Sequence, residues 1–151
     1  MTHRIVKLLK DGPIGEEVQI EGWVRTRREA KGFSFLEIND GSCLKSIQVV
    51  ADSTLPNYED TVEQLVTGAS VKVRGKLVES VGKGQTVEIQ ASEVHQYGGA
   101  AEDYPLQKKR HSFEFLREIA HLRPRSNTFG AIARIRNRLS FAIHEYLQAH
   151  G

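Results

Sequence analysis

Between residues 33 and 38, Phe33, Phe35 and Glu37 alternate with Ser34, Leu36 and Ile38. A strand sends successive side chains to opposite faces, so turning Leu36 and Ile38 inward turns both phenylalanines and a carboxylate outward. Two further segments repeat the arrangement: Ile47 and Val49 point inward while Ser46, Gln48 and Val50 point out, and Val87 and Ile89 point inward while Glu88 and Gln90 point out. Arg25, Arg27, Arg28 and Lys31 border this face. Rings stack on unpaired bases, amides and carboxylates bond to base edges, and guanidinium groups hold phosphates, so the combination suits single-stranded nucleic acid. Pattern alone leaves a second reading open, in which an N-terminal helix or another domain covers Phe33 and Phe35. The basic segment by itself fits a solvated hairpin end equally well.

Other chemistries find no support. The chain has no Gly-rich phosphate loop and no Gly-x-Ser-x-Gly turn. His111 and His121 are ten residues apart and His144 and His150 six apart, neither a spacing that pairs two ligands on a helix face. A lone cysteine, Cys43, excludes an internal disulfide and a thiolate zinc cage. No catalytic site, metal or cofactor is expected on this chain.

The elements that must position the polar face follow from changes of period. Ile5, Leu8 and Leu9 lie at helical spacing and are stopped by Asp11-Gly12-Pro13. Val18, Ile20, Gly22 and Val24 then alternate as a strand, with Gly22 marking a sharp bend. A basic connection, Arg27 to Gly32, leads to a second strand, Phe33 to Asn39, and Lys45 to Ala51 reads as a third. Tyr58, Val62, Leu65 and Val66 form a short helical patch. Val71, Val73, Gly75 and Leu77 make a fourth strand, Gly82-Lys83-Gly84 turns the chain, and Val87, Ile89 and Ala91 make a fifth. Five short strands with a helix between the third and fourth is the order of a mainly β, five-stranded OB-fold barrel. Another kind of five-stranded barrel is the alternative.

Residues 96–112 carry no apolar period and read as a linker. Phe113, Leu116 and Ile119 suggest a short helix, broken at Pro124. From about Asn127 a long amphipathic helix runs on, with Ile132, Ile135, Leu139, Ala142, Ile143 and Tyr146 on one stripe. That stripe is expected either to pair with another copy or to order poorly. The 151 residues, 39% apolar and 26% charged, suit one domain with an appendage. Residues 1–99 carry 12 basic and 14 acidic side chains and residues 100–151 carry 9 and 5, a shift toward positive charge that hints at an acidic partner. No run of 18 apolar residues and no signal-peptide pattern occurs, so no membrane partner and a cytoplasmic location are expected.

Three stretches resemble a known family. Gly22-Trp23-Val24-Arg25-x-Arg27-Arg28, Phe33-x-Phe35-Leu36-x-Ile38-x-Asp40-Gly41 and Ile47-Gln48-Val49-Val50 are similar to the N-terminal anticodon-binding domain of class II aspartyl-, asparaginyl- and lysyl-tRNA synthetases. The likeness continues through Tyr104-Pro105-Leu106-x-Lys108-Lys109 and Arg117-Glu118-x-x-His121-Leu122-Arg123-x-Arg125. Glu118-Ile119-Ala120-His121-Leu122-Arg123 resembles the asparaginyl group rather than the aspartyl one. The resemblance implies that Phe35 stacks on the middle anticodon uridine, Gln48 reads that uridine's edge, Glu88 reads the first base and Arg28 lies near the third. Arg25 and Arg27 would add phosphate attraction, and Phe33 receives no role. It also implies residues 1–99 as an OB-fold anticodon-binding domain, 100–112 as a hinge, and 113–151 as the opening helices of an α+β catalytic domain that stops before the motif 1 proline. Motifs 2 and 3 are absent, so ATP, Mg2+ and asparaginyl-adenylate formation would belong to the rest of a full-length enzyme, as would its homodimer. The expected partner is transfer RNA with the asparagine anticodon, not DNA. A stand-alone OB-fold module for single-stranded or transfer RNA and an aspartyl-tRNA synthetase fragment are the alternatives.

Overall fold

The computed structural model of the chain describes residues 1–82 and 84–151; Lys83, in the expected Gly82-Lys83-Gly84 turn, lies outside the described residues. The chain divides between Lys109 and Arg110 into two compact units. The first is a closed barrel of β1 (Glu17–Ala30), β2 (Phe33–Asn39), β3 (Ile47–Asp52), β4 (Ser70–Glu79) and β5 (Val87–Gly98), joined in the order β1-β2-β3-β5-β4. This is the OB-fold order, and all neighbours are antiparallel except β3 and β5.

Period-two alternation fills the interior. Ile20, Val24, Leu36, Ile38, Ile47, Val49, Val71, Val73, Leu77 and Ile89 are all buried. Ser34 is the polar exception on that side, and its hydroxyl shares a 2.7 Å hydrogen bond with the buried Tyr58 hydroxyl. The helix α1 (Ile5–Asp11) is too short to persist alone, but Ile5 and Leu8 join the barrel core. Its first N–H groups find acceptors on the β2–β3 connection: Ile5 N–H donates to Asp40 Oδ2 at 2.9 Å and Val6 N–H to Ser42 Oγ at 3.0 Å. A carboxylate at a helix N-terminus also meets the positive end of the helix dipole.

Several element boundaries differ from those expected. The basic stretch from Arg27 to Ala30 is strand, not connection, because Arg28, Glu29 and Ala30 pair with Phe35, Ser34 and Phe33. Only Lys31-Gly32 turns the chain, with Gly32 at φ +85, a conformation glycine adopts without penalty. The third strand begins at Ile47 rather than Lys45. The Asn39 amide donates to the carbonyls of Cys43 (3.2 Å) and Lys45 (2.9 Å) and holds those residues in a loop. The helical patch is shorter, a π-type turn over Tyr58–Val62; Leu65 is still buried, while Val66 is exposed. The fifth strand runs on to Gly98, because its later residues keep pairing with β4 as far as Ser70.

The second unit contains α2 (Phe113–Glu118), a 3-10 turn at Arg123–Arg125 and α3 (Asn127–His150). Both helices are capped by a serine, Ser112 accepting from Phe115 N–H (3.2 Å) and Ser126 from Phe129 N–H (3.4 Å). Ile132, Ile135, Leu139, Ile143 and Tyr146 are exposed along α3. No described helix is long and apolar enough to cross a membrane.

Gly75 sits at a register shift between β4 and β5, where a Cβ would overlap the Gln90 carbonyl oxygen. Overpacking of this kind costs about 1–3 kcal/mol, and here the clash is with backbone that cannot rotate away. Gly75→Ala is therefore expected to lower the stability by about 2 kcal/mol or more, read as a lower midpoint in urea unfolding.

Candidate nucleic-acid interface

The outward side chains of β1, β2, β3 and the start of β5 form one continuous polar face. Register fixes its order: Arg28 of β1 is opposite Phe35 of β2, Glu37 of β2 is opposite Gln48 of β3, and Gln48 is opposite Glu88 of β5. Neighbouring strands lie ~4.8 Å apart, so the path from Glu88 to Arg28 crosses three strand spacings, about 14 Å, and also steps along β2 from Glu37 to Phe35.

At the β1–β2 end, the Arg28 guanidinium carbon lies 4.6 Å from the centroid of the Phe35 ring, a cation–π contact. Phe33 meets Phe35 edge-on, with centroids 5.0 Å apart and planes at 90°. Both rings are half-buried. Beside them Thr26 Oγ1 donates to Glu37 Oε2 at 3.2 Å. The aromatic platform thus carries a planar cation on it and acceptors next to it, the surroundings an unpaired base needs.

At the β3–β5 end the amide and the carboxylate meet directly. Gln48 Nε2 donates to Glu88 Oε2 at 3.0 Å. Glu88 occupies an outward register position as the alternation requires, yet it is only 8% exposed. The sequence pattern leaves it open to solvent; the structure covers it with neighbours from the β4–β5 connection. Ser80 Oγ donates to the same Oε2 at 2.7 Å and Gln85 Nε2 at 3.1 Å. Ser80 and Gln85 were not legible as site residues. The available signal is two polar side chains on either side of a Gly-containing turn, leading into the strand that carries Glu88.

Not every expected residue reaches this face. Arg27 is opposite Leu36, so it faces away from Arg28, and its guanidinium pairs with Glu29. Arg25 lies within the bulge between Val24 and Thr26, where its carbonyl accepts from Thr67 Oγ1 at 3.3 Å. Arg28, Phe35, Gln48 and Glu88 are brought together; Arg25 and Arg27 flank them. Among the described residues no group of three or more His, Cys, Asp or Glu is placed to hold a metal ion.

With this geometry in place, comparison with known proteins is informative. The pattern of the tRNA anti-codon family, OB-fold nucleic acid binding domains, matches residues 18–96. Asparagine–tRNA ligase of Microcystis aeruginosa is 53% identical over 151 residues, covering all of this chain and 33% of the relative. Asparagine–tRNA ligase of Nostoc sp. is 55% identical over 152 residues, again covering all of this chain and 33% of the relative. The chain therefore spans about a third of the length of the curated relatives it matches. Among solved structures, asparaginyl-tRNA synthetase from Pyrococcus horikoshii complexed with asparaginyl-adenylate superposes with a TM-score of 0.85. It is 23% identical, and the match covers all of this chain and 35% of that one, a likeness of fold.

A stacked base is worth ~1–3 kcal/mol on alanine substitution, so Phe35→Ala is expected to weaken binding of a short single-stranded RNA about ten-fold. Tyr97→Ala, which removes an exposed ring near the far end of β5, is expected to leave it unchanged; fluorescence anisotropy with labelled RNA compares the two.

Proposed function

The chain belongs to the tRNA anti-codon family of OB-fold nucleic acid binding domains, and on that premise we propose that it is the anticodon-reading portion of an asparagine–tRNA ligase. The observation that carries the reading is the row Glu88, Gln48, Phe35, Arg28 across four adjacent strands. Its order is that of the roles the resemblance implies: first base at Glu88, middle base at Gln48 and Phe35, third base beside Arg28. A face with one aromatic platform and one amide–carboxylate pair suits a short run of unpaired bases better than a duplex, whose base edges are stacked and paired. The identity of the relatives, above 50% along the whole chain, supports asparagine as the amino acid matched to that anticodon.

Each side chain then has a task. Phe35 takes the middle base on its ring. Gln48 offers that base both an acceptor and a donor, and Glu88 accepts from a base edge rich in N–H groups. Arg28 adds positive charge beside the stack, and Arg25 and Arg27 contribute attraction that carries no sequence information. On this reading, joining asparagine to tRNA through an asparaginyl-adenylate, with ATP and Mg2+, and the pairing of two copies are assigned to a catalytic portion of a full-length ligase. By this reading the 151 residues bind transfer RNA and do not by themselves catalyse its charging.

Two classes of substitution separate these tasks. Gln48→Ala is expected to narrow the preference for uridine over cytidine at the middle position of an anticodon stem-loop. Arg28→Ala is expected to lower affinity for all stem-loops and to flatten the dependence of binding on salt, since ~0.7 counterion is released per phosphate held on single strands. Isothermal titration at three salt concentrations distinguishes them. Equal loss of affinity for every loop in Gln48→Ala would remove the base-reading role.

A further inference from the structure

We propose that Ser80 and Gln85 are positioning residues that set which middle base is accepted, by fixing Glu88 and, through it, the direction of the Gln48 amide. The proposal deepens the assignment of Gln48 as the reader of the middle base and rests on it. Neither Ser80 nor Gln85 needs to touch RNA.

The hydrogen-bond directions admit one arrangement. Ser80 Oγ accepts from Gly82 N–H (3.1 Å) and from Gln85 Nε2 (2.8 Å). With both lone pairs of the hydroxyl used, its single proton goes to Glu88 Oε2 at 2.7 Å. Gln85 Nε2 reaches the same oxygen at 3.1 Å, and the connection is closed by Ser80 N–H donating to Thr86 O at 3.0 Å. Glu88 Oε2 is thereby fixed beside β3 as an acceptor. The end of the Gln48 side chain that faces it at 3.0 Å must then be the NH2 end. Turning the amide over would set its carbonyl oxygen against a carboxylate oxygen, at a residue only 8% exposed, where little water could relieve the repulsion.

The direction of that amide matters because the two pyrimidines present opposite groups. Uridine carries an N3–H donor flanked by carbonyl acceptors; cytidine carries an N3 acceptor beside an amino donor. A Gln48 whose NH2 is held toward Glu88 keeps its carbonyl oxygen for the N3–H of uridine and its second N–H for a uridine carbonyl. Cytidine requires the reversed amide. Discrimination at the middle position is therefore set two residues away from the base, in the β4–β5 connection.

The test uses the whole chain and two anticodon stem-loops that differ only in uridine or cytidine at the middle position. The wild-type chain prefers the uridine loop. Ser80→Ala/Gln85→Ala is expected to reduce the ratio of the two dissociation constants about five-fold or more, through weaker binding of the uridine loop, with affinity for the cytidine loop retained or increased. Ser80→Thr, which keeps a hydroxyl, is expected to retain most of the preference, and Ser80→Ala alone reads the same ratio should the double variant unfold. A wild-type ratio in the alanine variants overturns the proposal, and so does equal loss of affinity for both loops, the signature of a merely structural role. A wild-type chain with no preference would instead remove the assignment of Gln48 on which the proposal stands, before any variant is compared.

Discussion

Three residue pairs close the barrel. β3 and β5 meet in parallel over Gln48 and Glu88, Val49 and Ile89, and Val50 and Gln90, a much shorter seam than the antiparallel ladders that join the other strands. Without it the sheet would have two open edges and the interior would be wet. Val49 and Ile89 both face the core, and a slip of one residue would carry an isoleucine to solvent. Apolar burial therefore puts Gln48 and Glu88 on the same outer face, and the observed register sets the amide beside the carboxylate. The adjacency of amide and carboxylate is a consequence of how the oily residues close the cylinder.

The rest of the face is arranged from that seam outward. β2 continues the face with Glu37 and Phe35, and β1 ends it with Arg28, so four strands each contribute a polar, charged or aromatic side chain. Rigid strands, rather than loops, hold these groups, which favours discrimination between bases that differ by one donor or acceptor. The β4–β5 connection adds Ser80 and Gln85 to the back of Glu88 and turns an outward carboxylate into a nearly buried one. The asparagine–tRNA ligases it resembles are about three times as long.

Much of this was legible in the residues. Strict alternation through Leu36 and Ile38, Ile47 and Val49, and Val71 to Leu77 specified the strands, their inward faces and the OB-fold order. What alternation could not reveal was tertiary. Arg27 to Ala30 look like a charged loop, because a strand that protrudes beyond the core keeps its charges solvated while its backbone pairs with β2. The asparagine amide at position 39 delays the third strand through two bonds to loop carbonyls. Pairing with β4 extends the fifth strand through Gly98, a residue whose type argues for a linker. At the site, period two placed Glu88 outward but said nothing of Ser80 and Gln85, whose contact with it depends on how the β4–β5 connection folds.

The most direct test of the interface is a nuclear magnetic resonance titration of the labelled chain with an asparagine-anticodon stem-loop. If the β1-β2-β3-β5 face reads the bases, the side-chain amide signals of Gln48 and Gln85, the ring signals of Phe35 and the backbone signals of Arg28 and Glu88 shift together and saturate at one equivalent of RNA. Shifts confined to Trp23, His95 and Tyr97, with that row unmoved at saturation, would contradict the account.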